Sequence, residues 1–126
     1  MELNFYICNH CGNVVEKVVD HKVPVLCCGE KMQLLDPSIR DGAGEKHVPI
    51  LSITGNVVKV SVGEVSHPME EKHNIAFIAL HTQNGVQRKN LLPDEAPEAT
   101  FALADGDQVI AVYAFCNLHG LWKTEA

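Results

Sequence analysis

Two sets of side chains in this 126-residue chain could do chemistry that an ordinary core cannot. The first is four cysteines. Cys8-Asn9-His10-Cys11 is a C-x2-C pair, and the adjacent pair Cys27-Cys28 follows sixteen positions after Cys11. Four thiolates around one point suit a tetrahedral zinc or iron ion. The two-residue spacing lets the backbone turn around the ion and aim amides at the sulfurs. Gly12 and Gly29 each follow a pair, where a tight turn is expected. Neighbouring ligands cannot both reach an undistorted vertex easily, so Cys27-Cys28 predicts angular strain. A disulfide between these neighbours would itself be strained. On the residues alone, iron and zinc stand level. His10 reads as a solvent-facing loop residue, and His21 has no ligand-like neighbour.

The second set mixes imidazoles with one thiolate. Cys116-Asn117-Leu118-His119 places Cys116 and His119 three positions apart, directly after an apolar run ending at Phe115. His47 opens a β-rich stretch, and His67 and His73 flank Pro68-Met69-Glu70-Glu71-Lys72. All sit at strand edges or in loops, where functional residues concentrate on a rigid β scaffold. Imidazole suits iron, zinc and copper, and a thiolate adds a soft donor. At this level zinc and blue copper remain open beside iron. His81 lies inside a strand pattern and reads as structural.

The elements that must position these groups read as strands. Residues 48–54 are β-rich and Gly55-Asn56 is a turn. Val58, Val60 and Val62 alternate with Lys59 and Ser61 in the period of a half-buried strand. Residues 74–82, 86–92, 100–104 and 108–115 complete the pattern. Gln83-Asn84-Gly85 is a turn between two of them, and Asp105-Gly106-Asp107 predicts a further hairpin. No long helical period occurs. The fold expected is mainly β, with an antiparallel sandwich as its larger part. Residues 36–44 have linker chemistry, so the chain divides into domains 1–36 and 37–126. A unit of about 36 residues is too small to rest on its core alone and needs a staple, which the four cysteines could hold.

Composition narrows the function. The formal charge is −6 with no Lys/Arg-rich run, which argues against nucleic acid as a partner. The apolar runs are too short to span a bilayer, so no membrane role is expected. The opening residues show no basic stretch leading into an apolar one, which predicts a cytoplasmic protein. In that compartment clustered thiols are metal ligands before they are disulfides.

Taken together, these residues resemble desulfoferrodoxin, the two-iron class of superoxide reductase. The resemblance runs through the four cysteines including the vicinal pair, then Glu45-Lys46-His47-Val48-Pro49, His67-Pro68-Met69, Lys72-His73-Asn74-Ile75 and Cys116-Asn117-Leu118-His119-Gly120-Leu121-Trp122. Each motif is weak singly, and their joint occurrence in this order is specific. The resemblance implies a small desulforedoxin-like iron–thiolate domain followed by an immunoglobulin-like sandwich. It implies two iron ions per chain, one on Cys8, Cys11, Cys27 and Cys28, the other on His47, His67, His73, His119 and an axial Cys116. It makes the chain an enzyme that reduces superoxide by one electron to hydrogen peroxide without dismutation to oxygen. Lys46 would attract the anion and Glu45 would reach the iron after oxidation. A homodimer and a small electron-donor protein such as a rubredoxin complete the expectation. The alternatives are a rubredoxin-like electron carrier, a zinc-stabilised binding module and a superoxide dismutase.

Overall fold

The computed structural model describes residues 2–37 and 47–126. The chain divides into two compact units, Met1–Asp36 and Pro37–Ala126. None of the described residues forms a helix long and apolar enough to cross a membrane.

The first unit is built from very short strands. β1 (Phe5–Ile7) pairs antiparallel with β2 (Val14–Glu16), and β5 (Gln33–Leu34) joins its other edge. β3 (Leu26–Cys27) and β4 (Glu30–Lys31) form a separate hairpin. Leu3, Phe5, Cys8 and Met32 are its buried apolar residues. So few side chains make a slender core, and the cysteines at the two turns are where the unit can be stapled.

The second unit is a sandwich of two antiparallel sheets. β6 (Pro49–Thr54), β7 (Val57–Val62) and β10 (Glu98–Ala102) form one sheet in the order β10-β7-β6. β8 (Ile75–Thr82), β9 (Gly85–Asn90), β11 (Val109–Cys116) and β12 (Gly120–Glu125) form the other in the order β12-β11-β8-β9. This three-plus-four arrangement is of the immunoglobulin-like kind. Val58, Val60, Val62, Ala99 and Phe101 from the first sheet pack with Ile78, Leu80, Val112 and Ala114 from the second. The alternation read in β7 is kept, with Val58, Val60 and Val62 inward and Lys59 outward.

One expectation fails. Asp105-Gly106-Asp107 does not close a hairpin, because β10 pairs with β7 whereas β11 pairs with β8 and β12. The apolar faces of β10 and β11 meet across the core from opposite sheets, so ladder pairing between them would leave both faces half covered. The turn carries the chain between sheets and is tied to both. Asn56 donates to Asp105 at 2.6 Å, and the Asn84 amide donates to Asp107 at 3.1 Å. The final strand β12 was not anticipated.

This topology gathers one end of the sandwich. Pro49 lies opposite Val62 in the β6–β7 register, and Cys116 lies opposite both Ile75 and Gly120. The start of β6, the crossover from β7 to β8 and the β11–β12 turn therefore share an end. His47, His67, His73 and His119 sit on these three connections, and Cys116 closes β11.

Candidate metal centres

In the first unit, Cys8 directly follows β1 and Cys11 lies in the turn to β2. That turn is closed by the Gly12 amide donating to the Cys8 carbonyl and by the Cys8 amide donating to the Asn13 carbonyl, both at 2.9 Å. Cys27 ends β3, and Cys28-Gly29 is the two-residue turn of the β3–β4 hairpin. Cys28 has φ 54° and Gly29 has φ 76°. Positive φ at both centres is the signature of the tight primed turns that suit a hairpin's twist. Glycine adopts it freely, while Cys28 is held in a region a side chain disfavours.

The four sulfurs lie within 4.8 Å of one another. Cys11 and Cys27 are 3.6 Å apart at Sγ, near the edge of about 3.8 Å for a tetrahedron of sulfurs about 2.3 Å from a shared ion. Their acidities diverge. The Cys11 and His10 amides pull the Cys8 thiol down to about 6. The sulfurs of Cys8 and Cys11 push Cys28 up to about 12, and those of Cys11 and Cys8 also raise Cys27. Four thiolates this close repel, and a cation at their centre removes the conflict. The donor set fits a tetrahedral metal. His10 turns away to Glu30, 3.0 Å distant on the exposed surface.

In the second unit the imidazoles form a ring. Centroid separations are 4.7 Å for His47–His67, 4.7 Å for His67–His73, 5.2 Å for His73–His119 and 4.8 Å for His119–His47. The His47–His73 diagonal is 6.4 Å. The four imidazoles thus form a closed ring, in which the ligand atoms of His47, His67 and His73 cluster with Cys116 and His119 joins through its Nδ1 contacts to His47 and Cys116.

The facing atoms follow from the hydrogen bonds. His67 donates from Nδ1 to the Pro68 carbonyl at 2.7 Å, which leaves its Nε2 lone pair inward. His67 Nε2 and His73 Nε2 are buried without a hydrogen-bond partner. Such atoms are costly unless something else satisfies them. His47 Nε2 lies 3.1 Å from His119 Nδ1. Cys116 is fully buried, with Sγ 3.8 Å from His119 Nδ1. The ligand atoms of His47, His67, His73 and Cys116 lie within 4.8 Å of one another. Burial drives His67 down to about 4 despite the Pro68 carbonyl, so it is a neutral donor. Burial likewise pushes the Cys116 thiol up, against the pull of the Leu118 and His119 amides. A buried thiol and inward-facing lone pairs are a metal site by chemistry as well as by distance.

His81 is buried within β8, away from this group. Glu45 and Lys46 lie outside the described residues. Sequence reasoning missed the supports. Trp122, on β12, stacks on His47 with centroids 4.8 Å apart and planes 18° from parallel. Asn117 and Asn74 join the loops that bear His73 and His119. An aromatic three positions after His119 and an asparagine beside a ligand were visible signals, but neither says what it touches.

A family model described as desulfoferrodoxin matches residues 39–125. The desulfoferrodoxin of Nitratidesulfovibrio vulgaris is 47% identical over 125 residues, 99% of this chain and 98% of that protein. The desulfoferrodoxin of Syntrophotalea carbinolica is 44% identical over 124 residues, 98% of this chain and 97% of that protein. The crystal structure of the superoxide reductase from Treponema pallidum superposes with a TM-score of 0.84 at 39% identity, covering 98% of each chain.

Proposed function

The chain belongs to the desulfoferrodoxin family, and on that premise we propose that it is a superoxide reductase, converting superoxide, one electron and two protons to hydrogen peroxide without releasing oxygen. The observation that carries this reading is the cluster of His47, His67, His73 and the buried Cys116, with His119 Nδ1 against His47 and Cys116.

The chain holds two irons, one on Cys8, Cys11, Cys27 and Cys28 and one on His47, His67, His73, His119 and Cys116. Bound by these donors, ferrous iron would supply an electron and a point of attachment for a small anion. The imidazoles are neutral donors, which leaves the one thiolate as the only anionic protein ligand. Superoxide is therefore drawn to this spot although the chain carries a charge of −6, because local field outweighs net charge at short range. Lys46, next to His47 in the sequence, would add a cation to that approach. Glu45 would be the carboxylate available to the oxidised iron, as the family resemblance implies. At the first centre four thiolates fill a tetrahedron and leave no place for substrate, so it stores or passes an electron and does not bind superoxide.

The N-terminal unit 1–36 is thus an iron–thiolate domain and 37–126 the catalytic sandwich. The protein works in the cytoplasm and takes electrons from a small carrier such as a rubredoxin. Val18, Val19, Val23 and Leu26 are all exposed on the first unit, and exposed apolar side chains in so small a unit support a homodimer. Aerobic purification with metal analysis and visible absorption tests the reading. Two irons per chain and a thiolate-to-iron charge-transfer band are expected. Zinc at both sites with no visible band would overturn it in favour of a structural module.

A further inference from the structure

We infer that Trp122 is the positioning residue that ties His47 to the Cys116–His119 loop, and that the second centre holds its metal tightly only while this tie is intact. The inference rests on the reading of the four imidazoles and Cys116 as a metal site.

His47 and His119 come from opposite ends of the second unit's sequence, yet their facing nitrogens are 3.1 Å apart. Trp122 touches both. Its ring lies flat on the His47 imidazole at 4.8 Å and 18°. Its Nε1–H donates to the His119 carbonyl at 3.2 Å. The indole is itself immobile. It is 2% exposed, and its strand is laddered to β11 through the Trp122–Ala114 pair. His67 has its own restraint in the Pro68 carbonyl, and His73 sits in the loop that Asn117 secures. A flat contact fixes a ring's plane, and the Nε1 bond fixes the backbone from which His119 projects. Together they set the angle between two neighbouring imidazoles of the ring. Groups that orient ligands in this way are worth about 10–100-fold in metal affinity.

Trp122 is also the chain's single tryptophan. Its emission therefore reports directly on the site it supports.

The test uses the full chain loaded with iron, the parent beside Trp122→Leu and Trp122→Phe. Far-UV circular dichroism establishes folding. The second centre's charge-transfer band is followed after a ferrous chelator is added, and indole emission is followed in the parent. Trp122→Leu removes both contacts and should release iron about tenfold faster or more, with a shifted band. Trp122→Phe keeps a ring over His47 and loses only the donor, so its rate should fall between the two. Indole emission in the parent should rise as iron leaves. A parent-like rate and band in a folded Trp122→Phe overturns the hydrogen-bonded link to His119. The same result in a folded Trp122→Leu overturns the inference as a whole. Should Trp122→Leu not fold, the Trp122→Phe result decides. A parent that takes up no second iron would count instead against the reading of the site.

Discussion

Asn117 holds Asn74 from two directions. Its side-chain oxygen accepts the Asn74 amide at 2.9 Å, and its own amide donates to the Asn74 carbonyl at 3.2 Å. Its side-chain nitrogen donates to the Lys72 carbonyl at 2.9 Å. The loop carrying His73 is thereby locked to the loop carrying His119. Asn74 passes the restraint on by donating to the Glu70 and Glu71 carbonyls.

Asn117→Ala deletes two of these bonds and leaves the backbone contact. At about 1 kcal/mol net for each, the sandwich should lose about 2 kcal/mol of stability in chemical denaturation. The second iron should also pass to a chelator faster. Asn117→Asp keeps the acceptor for Asn74 and loses the donor to Lys72, so it should fall between the two. Equal midpoints for parent and Asn117→Ala would show that the loops are held by other means.

Cys116 is the soft donor of the second centre. Cys116→Ser should abolish that centre's charge-transfer band and most activity, because a hydroxyl is a much poorer soft ligand. His81→Ala is the control. It removes a buried imidazole outside the ring, so it should lower the melting temperature while both irons stay bound. An unchanged oxidised spectrum in Cys116→Ser would remove the thiolate from the assignment.

The candidate ligands were legible in the sequence because their chemistry resides in residue type and spacing. Four cysteines, and a C-x2-H beside scattered histidines, mean something before any fold is known. The strands of the sandwich were legible for a similar reason, since Val58, Val60 and Val62 state their own face. What was not legible depends on contacts. Trp122 and Asn117 look like an ordinary core aromatic and an ordinary turn amide until His47 and Asn74 are placed beside them. Asp105-Gly106-Asp107 announces a reversal of the chain. Turn chemistry does not say whether the next strand pairs with the last or crosses to the other sheet. The strand Gly120–Glu125 followed so closely on a ligand motif that the motif alone was read.

Lys46 should speed capture of superoxide and Glu45 should not. A cation beside the ligand His47 raises the encounter rate with an anion, and salt weakens the advantage. With pulse-generated superoxide, Lys46→Ala should slow the second-order oxidation of the ferrous centre by about tenfold and flatten its dependence on ionic strength. Glu45→Ala should leave that step unchanged and alter the ferric spectrum. Parent-like capture by Lys46→Ala at low salt would make Lys46 an ordinary surface lysine.

Acid should loosen the first unit through Asp20. The Lys22 amide, with Lys17 3.3 Å away, holds the Asp20 carboxyl below its ordinary 3.8. Because the folded value lies below the unfolded one, the stabilisation is complete above the unfolded value. It is lost as pH falls through the folded value. Asp20→Asn should therefore melt the first unit at a lower temperature than the parent at neutral pH. The gap should close as pH drops below about 4. A gap that stays constant across that range would assign the difference to packing.

The balance of products tests the central claim most directly. The ferrous protein, with excess reductant, is mixed with a known amount of superoxide, and hydrogen peroxide and oxygen are both measured. A reductase takes an electron for every superoxide, so one hydrogen peroxide should form per superoxide consumed, with no oxygen. Half that yield of peroxide, with an equal amount of oxygen, would identify dismutation and contradict the account.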